Sequence, residues 1–102
     1  MNNMFGFLND MDNYEDRKIS NELVNGIEVS TVYTSDEGYE TALIDKNGVH
    51  PVERYGSKKE AIEGHEKWKE AALTIKTIKK LGGFGGLVED KEVELKRAYN
   101  TN

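Results

Sequence analysis

"VERYGSKKEAIEGHEKW" occupies residues 52–68 and marks a change from extended chain to helix. Ser57 and Glu60 stand in the S-x-x-E spacing of a capping box, in which a hydroxyl and a carboxylate satisfy amides of a first helical turn. From there Ala61, His65, Trp68, Ala72 and Ile75 fall on one stripe at helical spacing. Ile62 and Leu73 flank the stripe on one side, Ala71 and Ile78 on the other. Lys58, Lys59, Glu63, Glu66, Lys67 and Glu70 mostly face away. The pattern predicts one long helix from Ser57 to about Lys80, ended by Gly82-Gly83. His65 sits on the apolar stripe between Ala61 and Trp68. It is expected in the core, packing one ring face and bonding a strand carbonyl or a hydroxyl. Gly64 costs about 1 kcal/mol in a helix interior, and close approach of another backbone is the simplest reason for it. His65, Trp68 and Gly64 are therefore read as structural core.

Upstream, the chain alternates as strands do. Tyr14 to Ser20 reads as a short edge strand anchored by Tyr14 and Ile19. In "LVNGIEVSTVYT", residues 23–34, Asn25-Gly26 is a strong hairpin signal because both residues tolerate positive φ. Ile27, Val29, Thr31 and Tyr33 share one face of the next strand, and Glu28, Ser30, Val32 and Thr34 the other. A polar turn at Ser35 to Gly38 leads into Tyr39 to Asp45. There Tyr39, Thr41 and Leu43 point one way, and Glu40, Ala42 and Ile44 the other. Lys46-Asn47-Gly48 is a second turn. Val49 to Tyr55 is extended again, and Pro51 lacks an amide donor, so this strand is expected at an edge or bulged near its start. The fold class expected is α+β: an antiparallel β-meander of three or four strands packed against one long helix in the C-terminal half, with extended or flexible termini.

The 102 residues make one domain with a modest core. Hydrophobic residues are 36% and charged residues 32%, which leaves little apolar material to seal it. Partner contacts, including copies of the chain itself, are expected to help order it. Fourteen basic against nineteen acidic residues give a net charge of −5, whereas a general nucleic-acid binder carries a basic excess. Residues 57–80 hold seven lysines and four glutamates, the pattern of a solvated helix face. No cysteine is present, which excludes disulfides and thiolate chemistry. No apolar run approaches the roughly 20 residues that span a bilayer, and the opening MNNMFGFLND lacks the form of a secretory signal.

Chemical motifs are sparse. His50 and His65 stand 15 residues apart on different predicted elements, with no metal-ligand spacing around them. Asp45-Lys46-Asn47-Gly48 lacks the bidentate glutamate of a calcium loop. Ser30, Ser35 and Ser57 have no nucleophile-elbow motif, and Ser57 serves better as a cap. No catalytic residue, cofactor or metal site is assigned. The chain divides into an N-terminal apolar arm (1–12), a core domain (13–81) and a C-terminal tail (82–102) hinged on "GGFGGL", residues 82–87. Unexplained apolar residues lie in the arm and the hinge: Phe5, Phe7, Leu8, Phe84 and Leu87. They are the candidate partner contacts, with docking on the chain's own core as the other outcome. Val88 to Asn102 reads as a short helix or as an arm that orders on binding. Deleting 82–102 is expected to leave a folded domain.

Three stretches carry a family likeness: "NYEDRK" (13–18), "VSTVYTSDEGYETALID" (29–45) and the opening "VERYGSKKEAIEGHEKW". From about Phe5 to Trp68 the chain resembles small proteins common in tailed-bacteriophage genomes. Those share an NYExRK opening, a Y/F-E-T-A strand and a V-E-x-Y-x-S/T-x-x-E-A-x-x-G-H-x-x-W segment. The resemblance implies a phage origin and a shared helix–sheet contact at Gly64, His65 and Trp68, and brings no activity with it. The expected role is non-enzymatic: a minor structural component of the virion that binds itself or neighbouring subunits. The partners expected are proteins, whether its own copies, other phage proteins or host proteins, with no membrane and no general nucleic-acid binding. The other class is an intracellular effector, an inhibitor or ligand-sequestering protein directed at a host defence, acting in the host cytoplasm during infection. That role calls for a pocket lined by groups such as Arg54, Tyr55, His65 and Lys69.

Overall fold

Asn25 and Gly26 both take left-handed backbone angles, φ 48° and 82°, which suits a two-residue turn to the twist of the strands it joins. In a computed structural model that describes residues 18–34, 38–82 and 88–98, this turn links β1 (Lys18–Val24) to β2 (Ile27–Thr34). β3 (Gly38–Asp45) and β4 (Gly48–Tyr55) follow. The four form one antiparallel sheet in the order β1-β2-β3-β4. The turn before β4 works differently from the first. Its residues do not take positive φ until Gly48 at 132°. Instead the Asp45 carboxylate accepts the amides of Asn47 and Gly48 at 2.8 and 3.1 Å, an Asx turn.

β4 is an edge of this sheet and is also bulged. Thr41 pairs with Glu53 and Ala42 with Pro51, so Val52 is an extra residue. The bulge breaks strict alternation. Val52 joins the buried core, while the next residue, Glu53, is met by the helix. That one irregularity lets β4 supply consecutive residues to the covered face.

Helix α1 (Lys58–Ala72) starts at Ser57, whose hydroxyl accepts the Glu60 amide at 3.2 Å. The Glu60 carboxylate accepts the amide of Gly56 at 3.3 Å. α1 lies on the face bearing Ile27, Val29, Thr31, Thr41 and Leu43, all fully buried. The fold is therefore α+β, a four-stranded antiparallel sheet against one helix, as the sequence implies. Ser30, Ala42 and Ile44, which alternate to the other face, are buried as well.

The helix is shorter than its spacing suggests. It ends at Ala72, and Thr77–Lys80 forms a strand, β5, paired with β6 (Lys91–Glu94). Thr74, Ile75, Thr77 and Ile78 are β-branched and lose rotamer freedom in a helix. Side chains from elsewhere take the carbonyls at the break. Asn25 Nδ2 donates to Leu73 O at 2.8 Å, and Arg97 donates to Ala72 O at 2.8 Å and Ile75 O at 2.7 Å. Ile75 and Ile78 still reach the core, the first from the connection and the second from β5.

Packing also continues past the expected boundary at residue 81. Leu95 is 8% exposed and belongs to the same core as Leu43 and Val52. The Leu95 amide donates to Lys76 O and the Ala98 amide to Gly26 O, at 2.8 and 2.9 Å. The Lys96 amide donates to Asp45 Oδ2 at 2.8 Å, and Arg97 also donates to Asn25 O. Residues 88–98 thus form part of the domain instead of a detached tail. Gly82 has a steric role, because a Cβ there would overlap the Val88 carbonyl. Leu95→Ala is expected to cost about 2–5 kcal/mol in urea unfolding, and a chain ending before Val88 to lose its cooperative transition.

Candidate functional site

The sequence placed His65 on a buried stripe, and a buried imidazole needs a partner for each nitrogen. His65 is 1% exposed. Its Nε2 lies 2.8 Å from Glu22 Oε1 on β1, and its Nδ1 lies 2.7 Å from Thr31 Oγ1 on β2. Thr31 Oγ1 is 2.5 Å from Thr41 Oγ1 on β3. Tyr55 on β4 brings its hydroxyl 3.1 Å from Thr41 Oγ1 and 3.2 Å from Glu53 Oε1. Glu53 Oε1 also accepts from Trp68 Nε1 at 2.8 Å and lies 2.7 Å from Lys67 Nζ. A single row of polar groups therefore crosses all four strands beneath the helix.

The helix is shaped around that row. A Cβ on Gly64 would overlap the Tyr55 ring, so the glycine admits an aromatic side chain where a second backbone was expected. Trp68 is half-buried against the core, with Lys67 Nζ 5.5 Å from its ring centroid. Lys69 pairs with Glu22 Oε2 at 3.0 Å, from the side opposite Glu53. The bond from His65, then that from Lys69, holds the Glu22 carboxyl below its ordinary value. Burial pushes the Glu53 carboxyl up, but Lys67 and Trp68 outweigh it and the net direction is down. Burial, helped by the neighbouring Glu53 charge, pushes the Tyr55 phenol up to about 12.

Carboxylate, imidazole and hydroxyl stand in sequence at Glu22, His65 and Thr31, the order of a hydrolytic triad. The hydroxyl is sealed, however: Thr31 and Thr41 are both 0% exposed. No substrate reaches Thr31 Oγ1 in this arrangement, and its geometry serves the helix–sheet contact.

Of the four residues named for a pocket, two line a common groove. It holds about 380 Å3 and is bounded by Glu53, Arg54 and Tyr55 from β4 and by Glu63, Gly64 and Lys67 from α1. His65 lies buried beneath, and Lys69 is turned toward Glu22. Arg54 is engaged with Glu40 at 2.9 Å and with Gly82 O at 2.9 Å. Phe5, Phe7, Leu8, Phe84 and Leu87, the candidate partner contacts, lie outside the described residues. So does the Tyr14 end of the expected first strand.

A second polar centre lies near the C-terminal segment. Asp45 takes the amides of Asn47, Gly48 and Lys96 together with His50 Nε2 at 2.9 Å. Burial pushes its carboxyl up, and the Lys96 amide and His50 outweigh that to leave it lowered. His50 Nδ1 is buried without a hydrogen-bond partner among the described residues. No group of three or more histidine, aspartate or glutamate side chains suited to a metal ion occurs among the described residues. Nor is any described helix long and apolar enough to cross a membrane.

The sequence reading named His65 and left out Glu22, Thr31, Thr41 and Glu53, which complete its row. A signal was present for the threonines: alternation puts both on the face of Val29 and Leu43, where a buried hydroxyl needs a polar neighbour. Comparison of the chain with protein-family models, curated proteins and solved structures finds no match.

Two measurements follow from this geometry. Gly64→Ala gains helix propensity but must displace the Tyr55 ring from Thr41 and Glu53. Overpacking prevails, and stability is expected to fall by about 1–3 kcal/mol in urea titration. Glu22, Asp45 and Glu53 all have carboxyls lowered on folding from ordinary values of 4.5, 3.8 and 4.5. A group lowered on folding stabilises above its unfolded value and loses that contribution as pH falls through the folded one. Urea midpoints are therefore expected to be flat, as far as these three groups go, above about pH 5 and to drop progressively below pH 4.

Proposed function

We propose that this chain is a non-enzymatic interaction protein of a tailed bacteriophage, a minor structural component of the virion that binds its own copies or neighbouring subunits. The observation that carries the reading is the sealing of the polar row. The groups with the order of a hydrolytic site are spent on joining the helix to the sheet, with Thr31 and Thr41 out of contact with solvent. The described surface also exposes large apolar side chains to a partner. Leu23, Leu73, Ile62 and Val88 are 64, 50, 47 and 43% exposed, on a chain with only 36% hydrophobic residues. The phage assignment rests on the resemblance of residues 5–68 to small tailed-phage proteins, through the NYExRK, YETA and GHxxW segments. Such a protein resides in the host cytoplasm during infection and then in the particle.

One observation favours a second reading, an intracellular effector that sequesters a ligand or inhibits a host defence. The groove over Tyr55 and Arg54 supplies a concave, polar surface of a volume within the range of small-molecule sites. Quantitative mass spectrometry of purified particles separates the two. The virion reading expects a fixed copy number per particle through density-gradient purification, and a mass above that of the monomer by light scattering. A chain abundant in infected cells, absent from particles and monomeric in solution overturns it in favour of the effector.

A further inference from the structure

The Tyr55 hydroxyl has one hydrogen and two acceptors at nearly the same distance, Thr41 Oγ1 at 3.1 Å and Glu53 Oε1 at 3.2 Å. It donates to only one of them at a time. Which one it serves is settled at the far end of the row. Among the described residues, Thr31 has only Thr41 and His65 as side-chain partners, and Thr41 has only Thr31 and Tyr55. Each is fully buried, so each hydroxyl must donate one way and accept the other.

Two complete assignments exist. With a neutral ring, the Glu22 carboxylate requires the hydrogen on Nε2, because two acceptors cannot face each other at 2.8 Å. Nδ1 then accepts from Thr31, Thr31 accepts from Thr41, and Thr41 accepts from Tyr55. With a protonated ring, Nδ1 becomes a donor and every step reverses. Thr31 accepts from Nδ1 and donates to Thr41, Thr41 donates to Tyr55, and Tyr55 donates to Glu53. Both assignments give every buried hydrogen an acceptor. One proton is added at Nδ1, and the three hydroxyls turn about their C–O bonds without any covalent O–H bond being broken.

We propose that Glu22, His65, Thr31, Thr41, Tyr55 and Glu53 form a proton-linked hydroxyl relay, in which protonation of the buried His65 reverses three hydroxyls and moves the Tyr55 hydrogen from Thr41 to Glu53 at the groove. The charged groups around the ring are compatible with both states. Glu22 on β1 faces Nε2 and is itself held by Lys69 on α1. β2 and β3 contribute only the two threonines, and on β4 Glu53 stands at the end of the row, paired with Lys67. Because Tyr55, Glu53 and Lys67 line the groove, the state of a ring that solvent barely touches is displayed at the surface. By reciprocity, an occupant that changes which acceptor Tyr55 uses also changes proton uptake at His65. This inference is independent of the virion reading.

Nuclear magnetic resonance on the full chain tests it, with 15N-histidine and 13C-ring-labelled tyrosine. At high pH the His65 ring is expected as the Nε2–H tautomer. As pH falls, the Tyr55 Cζ resonance is expected to shift with the same midpoint as the His65 ring. Thr41→Ser keeps a hydroxyl and is expected to preserve this coupled shift. Thr41→Val interrupts the row, so His65 still titrates while Tyr55 loses the response. Four results overturn the relay: an Nδ1–H tautomer at high pH, a Tyr55 signal silent through the His65 titration, a shift that survives in Thr41→Val, or a His65 that does not titrate before the domain unfolds. If Thr41→Val does not fold, the tautomer and the wild-type titration still decide.

Discussion

A helix that lays a histidine on a sheet must find hydrogen-bond partners for two nitrogens in a place without water. An unpaired buried polar atom costs about 1–3 kcal/mol, a sizeable part of the stability of a small domain. Here the two partners come from different strands, Glu22 and Thr31, and Thr31 in turn requires Thr41 and then Tyr55. The position of α1 over the sheet follows from that sequence of needs. Apolar burial favours any sliding or rotation of the helix that keeps Ala61, Trp68 and Ala72 covered. The hydrogen-bonded row tolerates very little. Gly64 and the β4 bulge are consequences: one makes room for the Tyr55 ring, the other turns Glu53 toward Trp68 while Val52 stays in the core.

Legibility in the sequence follows how local each signal is. The meander was readable because its signals are local, Asn25-Gly26 marking a turn through backbone angle and Pro51 marking an edge strand through its missing donor. The start of α1 was readable for the same reason, since Ser57 and Glu60 act within one turn. The end of α1 was not. Ile75 and Ile78 continue the helical stripe, and nothing near them announces that Arg97, more than twenty residues on, will take the carbonyls of Ala72 and Ile75. The period of the apolar residues fitted both a longer helix and a break into a strand, and a distant cation decided between them.

The same reasoning separates the parts of the site. His65 was legible as a core residue because its stripe is local to α1. Its partners were not, because spacing along one helix carries no record of which strand residues lie beneath it. Arg54, Tyr55, His65 and Lys69 were grouped for a pocket by residue type. The fold sends them to different places: Arg54 and Tyr55 to the groove, His65 beneath it, and Lys69 to Glu22 on the far side. The four glycines of residues 82–87 suggested a hinge, yet Gly82 is required by contact with the Val88 carbonyl, a reason for glycine opposite to freedom.

Composition raised a difficulty: so little apolar material was expected to need partners to order it. The described core is small, but polar joints reinforce it. Arg97 bonds three carbonyls from the β1–β2 turn, the end of α1 and the connection to β5. Asp45 gathers the β3–β4 turn, His50 and the Lys96 amide. Glu53 joins β4 to α1 through Trp68 and Lys67. Each joint ties segments far apart in sequence, and hydrogen bonds to charged groups contribute about 1.5–3 kcal/mol each when well made. Such joints also add direction, which apolar contact lacks, and so favour one arrangement of the layers over its near neighbours. The corresponding vulnerability is to charge. Two of these joints, Asp45 and Glu53, are carboxylates, as is Glu22 between β1 and α1, and the fold prefers the ionised form of all three. Acid therefore attacks this domain at its seams, between β1 and α1, between β4 and α1, and between the sheet and its C-terminal segment, before it disturbs the apolar residues themselves.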